Sequence, residues 1–406
     1  MTGNPNVKGV LMGLHESNIL HSFHTSIACF PDSYLDKIAK ISFLKDFKRR
    51  SFSKNIRSQT RSYPVKELGR LLSQKLRFNS FLTHETGIFS SQKGCQYIDK
   101  KVAEYILKQN NISGVYAYED TAISQFSIAK QNGIKCIYDL PIGYWRSKNR
   151  LLSSEIEKYP DWAVTLGGFN DSDEKLQCKD KELSLADVIY VASSFTKKTL
   201  EEYSGRLAPV KVIPYGFPAV NTTRTYSAVQ NRKVKLLYVG GLTQRKGIAY
   251  LFEAVKGLEN KVELTIIGKG NIEGCSVLKN ELKKHRYIPS LSNPDILSLM
   301  ATQDAFVFPS LFEGFGLVIT EAMSQGTPVI TTDRTCAADI IKHEQDGWII
   351  EAGSVDALRK QLEDIIAKPE ILKVVGQEAL HTAQSRPWRI YEQETARSIM
   401  ELYCNN

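Results

Sequence analysis

Two acidic residues, Glu313 and Glu321, stand eight positions apart in LFEGFGLVITEAMSQGTPVI (Leu311 to Ile330), with a glycine-containing turn between them. Just upstream, AFVFPS (Ala305 to Ser310) is a short apolar run closed by Pro309, the pattern of a buried parallel strand. Glu313, Gly314, Phe315 and Gly316 make the turn, and from Leu317 the residue order suits a helix that stops at Gly326. A helix opening there aims the free backbone N–H groups of Gly316, Leu317 and Val318 at whatever lies above the sheet, and such groups favour a phosphate. Carboxylates repel phosphate but accept hydrogen bonds from neutral hydroxyls. A ligand carrying both sugars and phosphates reconciles the two. The competing reading makes Glu313 a loop residue and Glu321 a solvated helix residue, which the strand–turn–helix order disfavours.

A second candidate anion site is GGLTQRKG (Gly240 to Gly247), between the strand-like VKLLYVG and the helix-like YLFEAV. Arg245 and Lys246 at such a turn would reach the region of the Leu317 helix start and hold a diphosphate by charge-assisted hydrogen bonds. Lys and Arg before a helix are also commonly exposed, so this signal gains its meaning from the glutamate pair.

Strand-like and helix-like segments alternate almost throughout, which predicts an α/β protein with parallel sheets. The first half offers strands at Gly114 to Glu119, Ile134 to Pro141, Asp187 to Ser193 and Val210 to Gly216. Polar FPAVNTTRTYSAVQNRK then reads as a linker, and a second series follows: VKLLYVG, VELTIIG, RYIP, AFVFPS, PVITT and GWII. Two Rossmann-like, doubly wound domains are implied, with a cleft at the carboxyl ends of both sheets. The expected boundaries are 1–216 for the first domain, 217–233 for the linker, 234–384 for the second domain and 385–406 for a last helix packing back on the first. Asn4 and Pro5 look like the start of a helix, with Val7, Val10, Leu11 and Leu14 at helical spacing, so the opening strand of the first domain appears missing.

EGFGLVITE has the Glu, seven residues, Glu pattern of the retaining family 4 glycosyltransferases (glycosyl transferases group 1) of the GT-B fold. PSLFEGFGL, EAMSQGTPVI, GGLTQRKG and ADVIYVASS also resemble that family's segments, closely across Ala186 to Leu358 and more loosely before it. The resemblance implies that Glu321 binds the ribose hydroxyls of a nucleotide sugar. It further implies that Glu313 contacts the donor sugar near the reacting centre, and that Arg245 with Lys246 stabilises the leaving diphosphate. Two positions depart from the pattern: Gly241 stands where many members carry Arg, and YDLPIGYWR lacks the His that many relatives place beside the reacting sugar. Tyr144, or Glu119 and Asp120, would face the cleft in its place. The implied activity is transfer of a hexose to a saccharide or lipid-linked acceptor in polysaccharide or glycoconjugate synthesis. Nucleic acid is not an expected partner, and no metal or other cofactor is expected. The DSD triplet (Asp171 to Asp173) mimics a metal motif but precedes a helix that it more plausibly caps.

The 406 residues are 42% hydrophobic and 24% charged, ordinary for a globular chain. No run of eighteen apolar residues occurs and the N-terminus lacks a signal-peptide core, which predicts a soluble cytoplasmic protein. Seven scattered cysteines without a CxxC predict reduced thiols. The net charge of +9 is concentrated between Asp36 and Arg77, where thirteen Lys or Arg face three Asp or Glu, interleaved with Ile38, Ile41, Phe43, Leu44, Phe47 and Phe52. This segment reads as a solvated face or as a peripheral anionic membrane or anion patch, with Lys48, Arg49 and Arg50 at its centre. Alternative functions are a sugar-nucleotide epimerase of the same fold and a nucleic-acid-binding protein using the basic segment, which carries no recognisable nucleic-acid motif. GKGNIEG (Gly268 to Gly274) fails as a dinucleotide fingerprint on spacing and on the acidic residue absent from RYIPS.

Overall fold

The alternation of apolar runs and helices builds parallel strands joined by crossover helices, since a parallel pair needs a long connection. The computed structural model describes residues 3–33, 50–167, 169–229 and 232–404. The first half contains α1 (Pro5–Glu16), β1 (Phe23–Thr25), β2 (Thr60–Ser62), α2 (Val65–Lys75), α3 (Ser91–Ile106), β3 (Gly114–Tyr118), α4 (Ile123–Gln131), β4 (Lys135–Leu140), α5 (Trp145–Lys158), α6 (Asp173–Leu185), β5 (Val188–Val191), α7 (Ser194–Thr199) and β6 (Val210–Val212). β3, β4, β5 and β6 pair in that order, all parallel, while β1 and β2 form a separate parallel pair.

The second half contains β7 (Val234–Val239), α8 (Ile248–Val255), β8 (Val262–Ile267), α9 (Ser276–Leu282), β9 (Arg286–Ile288), α10 (Asn293–Met300), β10 (Ala305–Phe308), α11 (Leu317–Ser324), β11 (Val329–Thr332), α12 (Ala337–Ile340), β12 (Trp348–Ile350), α13 (Val355–Ala367), α14 (Ile371–Ser385) and α15 (Trp388–Cys404). Its sheet runs β12-β11-β10-β7-β8-β9, entirely parallel. Every residue of β10 and β11 is buried, as expected of central strands covered on both faces. The order reverses between β7 and β10, which makes the crevice above their carboxyl ends a topological switch point, the usual ligand position in such sheets.

The last helix, α15, returns to the first half. It packs on α1, where a Cβ at Gly13 would lie 2.2 Å from the Glu392 carbonyl and one at Gly9 2.9 Å from the Tyr391 ring. Two glycines four residues apart thus let the helices approach closely. Tyr190 and Lys211 also bond the Ser398 hydroxyl, each at 2.9 Å. The polar connection before β7 is held on the second half: Arg232 makes a paired contact with Asp304 at 2.5 and 2.8 Å, and Tyr226 donates to the Gly326 carbonyl at 3.0 Å.

Candidate active site

The loops after β7 and β10 are tied together before any side chain is considered. Leu311 N–H donates to the Arg245 carbonyl at 2.9 Å, and the Ser310 hydroxyl reaches the same oxygen at 3.3 Å. Gly247 closes the first loop at φ 71°, where a side chain would also strike the Pro309 carbonyl at 1.9 Å. This tight join brings Arg245 and Lys246 onto the second loop. Arg245 Nη1 donates to the Phe312 carbonyl at 2.8 Å and lies 3.6 Å from Glu313 Oε2. Lys246 Nζ pairs directly with Glu313 Oε2 and sits 4.9 Å from the Phe308 ring centre. Burial, and then the Arg245 guanidinium, push the Lys246 ammonium well below its ordinary pKa. Burial also lowers Arg245. The site brings two basic side chains and one carboxylate within a few ångströms, an excess of one basic group.

Gly316 turns the chain into α11 at φ 94°, a left-handed conformation that glycine adopts freely. Ile319 N–H bonds back to the Gly316 carbonyl at 2.8 Å. Leu317 and Val318 supply the remaining first-turn amides, which have no intrahelical partner. Phe315 faces inward, with its ring 4.7 Å from that of Tyr215, so its side chain anchors the loop instead of lining a donor pocket. Glu321, one turn further on, accepts from Asn293 Nδ2 at 2.8 Å. Burial raises its carboxyl pKa, and the Asn293 bond works against that shift.

The first half closes over this site. The Gly314 carbonyl accepts from the Ser193 hydroxyl at 2.7 Å and the Thr196 hydroxyl at 3.0 Å. A Cβ at Gly314 would lie 1.9 Å from the Pro141 carbonyl. On the other side, Gln244 N–H donates to Thr165 Oγ1 at 2.9 Å, and its side-chain amide donates to Glu155 at 2.8 Å. Tyr250 donates to the same carboxylate at 2.8 Å. Ser193, Thr196, Glu155 and Asn293 were not legible as site residues: each is an ordinary helix or cap residue in sequence and gains its role only from the other half or from a distant helix.

The acceptor-side candidates divide. Glu119 pairs with Lys179 at 3.1 Å, and Asp120, at φ 70°, lies 3.9 Å from the same ammonium. Burial raises Glu119, and Lys179 counters it. Tyr144 is not a cleft residue: it is buried, and its hydroxyl donates to Asp180 at 2.6 Å within the same half, because the adjacent Trp145 and Arg146 converge on that carboxylate too. His84, Glu85 and Asp171 bring ligand atoms within 4.8 Å of one another. Its carboxylates already have partners, since Asp171 holds Lys175 at 2.8 Å and Glu85 accepts from Ser172 N–H and hydroxyl at 2.9 and 2.5 Å. Ser172, at the centre of the DSD triplet, caps α6 by accepting from Lys175 N–H.

Of the basic patch, Lys48 and Arg49 lie outside the described residues, as do Asp36 and the apolar Ile38, Ile41, Phe43, Leu44 and Phe47. Arg50 is buried and paired with Glu67, so it presents no charge to a surface. Phe52 is buried too. The described part of this region exposes Lys54, Arg57, Arg61, Lys75 and Arg77 together with an apolar patch: Val65, Leu68, Leu72 and Leu76 follow one face of α2 and its end, and Phe78, Phe81 and Ile88 extend it. Among the described residues, no helix is long and apolar enough to cross a membrane.

A family model for glycosyl transferases group 1 matches residues 221–382, the span that contains both loops. The capsular polysaccharide biosynthesis glycosyltransferase CapM of Staphylococcus aureus is 26% identical over 213 residues, 47% of this chain and 54% of CapM. A glycogen synthase of Mycobacterium tuberculosis is 26% identical over 226 residues, 52% of this chain and 50% of that protein. The chain thus spans about half the length of these curated relatives. Among solved structures, Anabaena Alr3699/HepE in complex with UDP and glucose superposes with a TM-score of 0.58 at 16% identity, covering 94% of this chain and 99% of that one. The apo lipopolysaccharide outer core galactosyltransferase WaaB gives a TM-score of 0.60 at 16% identity over 93% and 99%. The chain has the GT-B fold and carries, over residues 221–382, a glycosyl transferases group 1 domain.

Proposed function

We propose that the protein is a glycosyltransferase that moves a hexose from a nucleotide-sugar donor to a saccharide or lipid-linked acceptor, with retention at the anomeric carbon and without a divalent ion. The observation that carries this reading is the join of the two loops at the switch point, which gathers Arg245, Lys246, Glu313 and the start of α11 in one place. As the bond from the anomeric carbon to phosphate breaks, its electron pair goes to the diphosphate. Arg245, Lys246 and the Leu317 and Val318 amides stabilise that charge, and one preorganised donor of this kind contributes roughly 3 kcal/mol. The acceptor hydroxyl bonds to the anomeric carbon on the face the phosphate leaves, and its proton passes to the departing phosphate oxygen. Glu321 accepts from the ribose hydroxyls, and Glu313 contacts the transferred sugar.

UDP-sugars are the first donors to test, because the HepE structure holds UDP with glucose. A thermal-shift panel of UDP-, GDP-, ADP- and CMP-sugars identifies the donor, since a ligand that binds only the folded state raises the Tm. Release of nucleoside diphosphate with acceptor present, and the anomeric configuration of the product by NMR, then test the reaction. A donor sugar isomerised in the absence of acceptor would make the protein an epimerase instead.

The acceptor reading extends to a membrane surface, reached through α2 instead of through Arg50. Exposed Val65, Leu68, Leu72 and Leu76 at three- and four-residue spacing, with Lys66 and Arg77 alongside, form the amphipathic face that an anionic interface accepts. Co-sedimentation with anionic vesicles at low salt, release at about 0.5 M salt, and loss of binding in Leu68→Glu/Leu72→Glu are expected. Retention in solution at low salt would refute the membrane contact.

A further inference from the structure

Gln244, directly before Arg245 and Lys246, is buried, an uncommon place for an amide side chain. Two of its groups serve its own half. Its carbonyl accepts from Gly247 N–H at 2.8 Å, and its side-chain oxygen accepts from Ala249 N–H at 3.3 Å, which caps the first turn of α8. The other two cross to the first half. Its backbone N–H meets Thr165 Oγ1 at 2.9 Å, and its Nε2 meets Glu155 Oε2 at 2.8 Å. Thr165 closes the turn Pro160–Thr165 after α5, and its hydroxyl donates to the Trp162 carbonyl at 2.7 Å, which leaves its oxygen to accept from Gln244.

Glu155 is the less expected partner. It is a buried carboxylate on α5 that pairs with no Lys, Arg or His among the described residues. Its two donors are neutral, the Gln244 amide and the Tyr250 hydroxyl, the latter at 2.8 and 2.9 Å. Cohesion between the halves does not call for such a group, because Leu152 and Phe195 already pack with Tyr250, Leu311 and Phe312. An apolar side chain would join that cluster without the cost of burying a carboxylate. What a carboxylate adds is direction. Tyr250 is held in any case, since it lies within α8 with its ring 5.0 Å from that of Tyr159. Gln244 belongs to a three-residue turn, so its bond to Glu155 decides how that turn sits.

We propose that Glu155 is a positioning residue for the anion site: from the first half it holds Gln244, and through Gln244 it aims Arg245 and Lys246 at the diphosphate. The inference rests on the reading of that turn as the place of the leaving diphosphate. It makes the half assigned to the acceptor responsible for the geometry of the donor side. It also fixes a sign. A carboxylate near an anion site weakens anion binding through its charge, whereas a carboxylate that positions the cations strengthens it.

The test measures binding of inorganic pyrophosphate, a diphosphate without base or sugar, by calorimetry, together with Tm. Arg245→Ala/Lys246→Ala should abolish binding and so locate the anion at the turn. Glu155→Ala should weaken binding about tenfold, while Glu155→Gln, whose amide oxygen still accepts from Gln244, should stay within about threefold of the parent. Tyr250→Phe removes the other donor to the same carboxylate, and should lower Tm without changing the affinity. Gln244→Leu should weaken binding as Glu155→Ala does, and it decides the matter if Glu155→Ala does not fold. Folded Glu155→Ala or Gln244→Leu protein that binds pyrophosphate as tightly as the parent, or more tightly, overturns the proposal. Equal losses in Glu155→Gln and Glu155→Ala would assign the effect to charge, and an equal loss in Tyr250→Phe would make Glu155 merely structural; either result also overturns it. A parent that does not bind pyrophosphate, or binding indifferent to Arg245→Ala/Lys246→Ala, would instead remove the diphosphate reading of the turn and this inference with it.

Discussion

Replacing Lys246 by Ala separates the folding role of its ion pair from its role toward the donor. Its side chain is 14% exposed, and so is that of Glu313. Removing the ammonium leaves a carboxylate in low dielectric with only Arg245, 3.6 Å away, to face it. Breaking one partner of a buried pair costs about 3–5 kcal/mol, and the remaining guanidinium places this case near the lower figure, about 3 kcal/mol. At about 2–4 °C per kcal/mol for a domain of this size, the Tm should fall by about 6–12 °C. The double variant Lys246→Ala/Glu313→Ala leaves no orphaned charge and should recover most of that loss, giving a coupling of about 2 kcal/mol in a double-mutant cycle. Turnover behaves differently: Lys246→Ala should lower kcat by about 10²–10³, and the second substitution should not restore it. Urea unfolding and steady-state kinetics on the three variants supply every number needed. Full additivity of the two stability changes would refute the buried pair. A kcat within threefold of the parent in folded Lys246→Ala protein would refute the assignment of Lys246 to the leaving diphosphate.

Glu321→Ala should raise the donor KM by about tenfold or more, the loss of one charged hydrogen bond, with kcat little changed; an unchanged KM in donor titrations excludes the ribose contact. Gly314→Ala places a methyl where only 1.9 Å separates it from the Pro141 carbonyl, so the loop carrying Glu313 must move. A displacement of about 1 Å at a reacting group costs about 10² in rate, and a kcat equal to that of the parent would show that Glu313 is not held by this contact. Asp139, buried and accepting from the Tyr116 hydroxyl at 2.5 Å, has its pKa pushed up to about 7 by burial. Its unfolded value is about 3.9, so the folded state binds the extra proton between these values, and Asp139's stabilising share, full below about pH 4, is lost as pH rises through about 7. Urea unfolding from pH 4.5 to 7.5 should show this decline flattened in Asp139→Asn, and an identical pH slope in the variant would remove Asp139 as its source.

The second half was legible because its strands are buried on both faces: VKLLYV, AFVF and VITT read as continuous apolar runs, and each stands where it was expected. The loops between them were legible for a related reason, since glycine and charge stand out after such a run. β1 and β2 were not seen, because FHT and TRS are three-residue strands in polar surroundings whose pairing spans the chain between residues 23 and 62. Tyr144 and Arg50 fail for one cause. A tyrosine or arginine in a loop looks available in sequence, and only the folded chain shows Asp180 and Glu67 already in place to bury them.

The pairing of Glu313 with both cations also answers the electrostatic oddity of a glutamate at an anion site. Two buried cations alone would repel each other, by about 4 kcal/mol at 4 Å with an effective dielectric of 20, and each would carry an unmet desolvation cost. Glu313 removes both problems for the folded chain while leaving one net positive charge at the switch point. In the proposed reaction the diphosphate takes up that excess charge, and as negative charge grows on it Lys246 shifts its hydrogen bond from the carboxylate toward phosphate, with the Arg245 guanidinium turning the same way from the Phe312 carbonyl. Glu313 is then free to accept from the sugar hydroxyls beside it. On the proposed reaction, one carboxylate keeps the cations paired in the folded chain before the donor binds and would orient the sugar afterwards. An aspartate at 313 would be too short to reach Lys246 with the loop held by Ser193 and Thr196, so Glu313→Asp should impair stability and turnover together, where a purely catalytic glutamate would lose turnover alone.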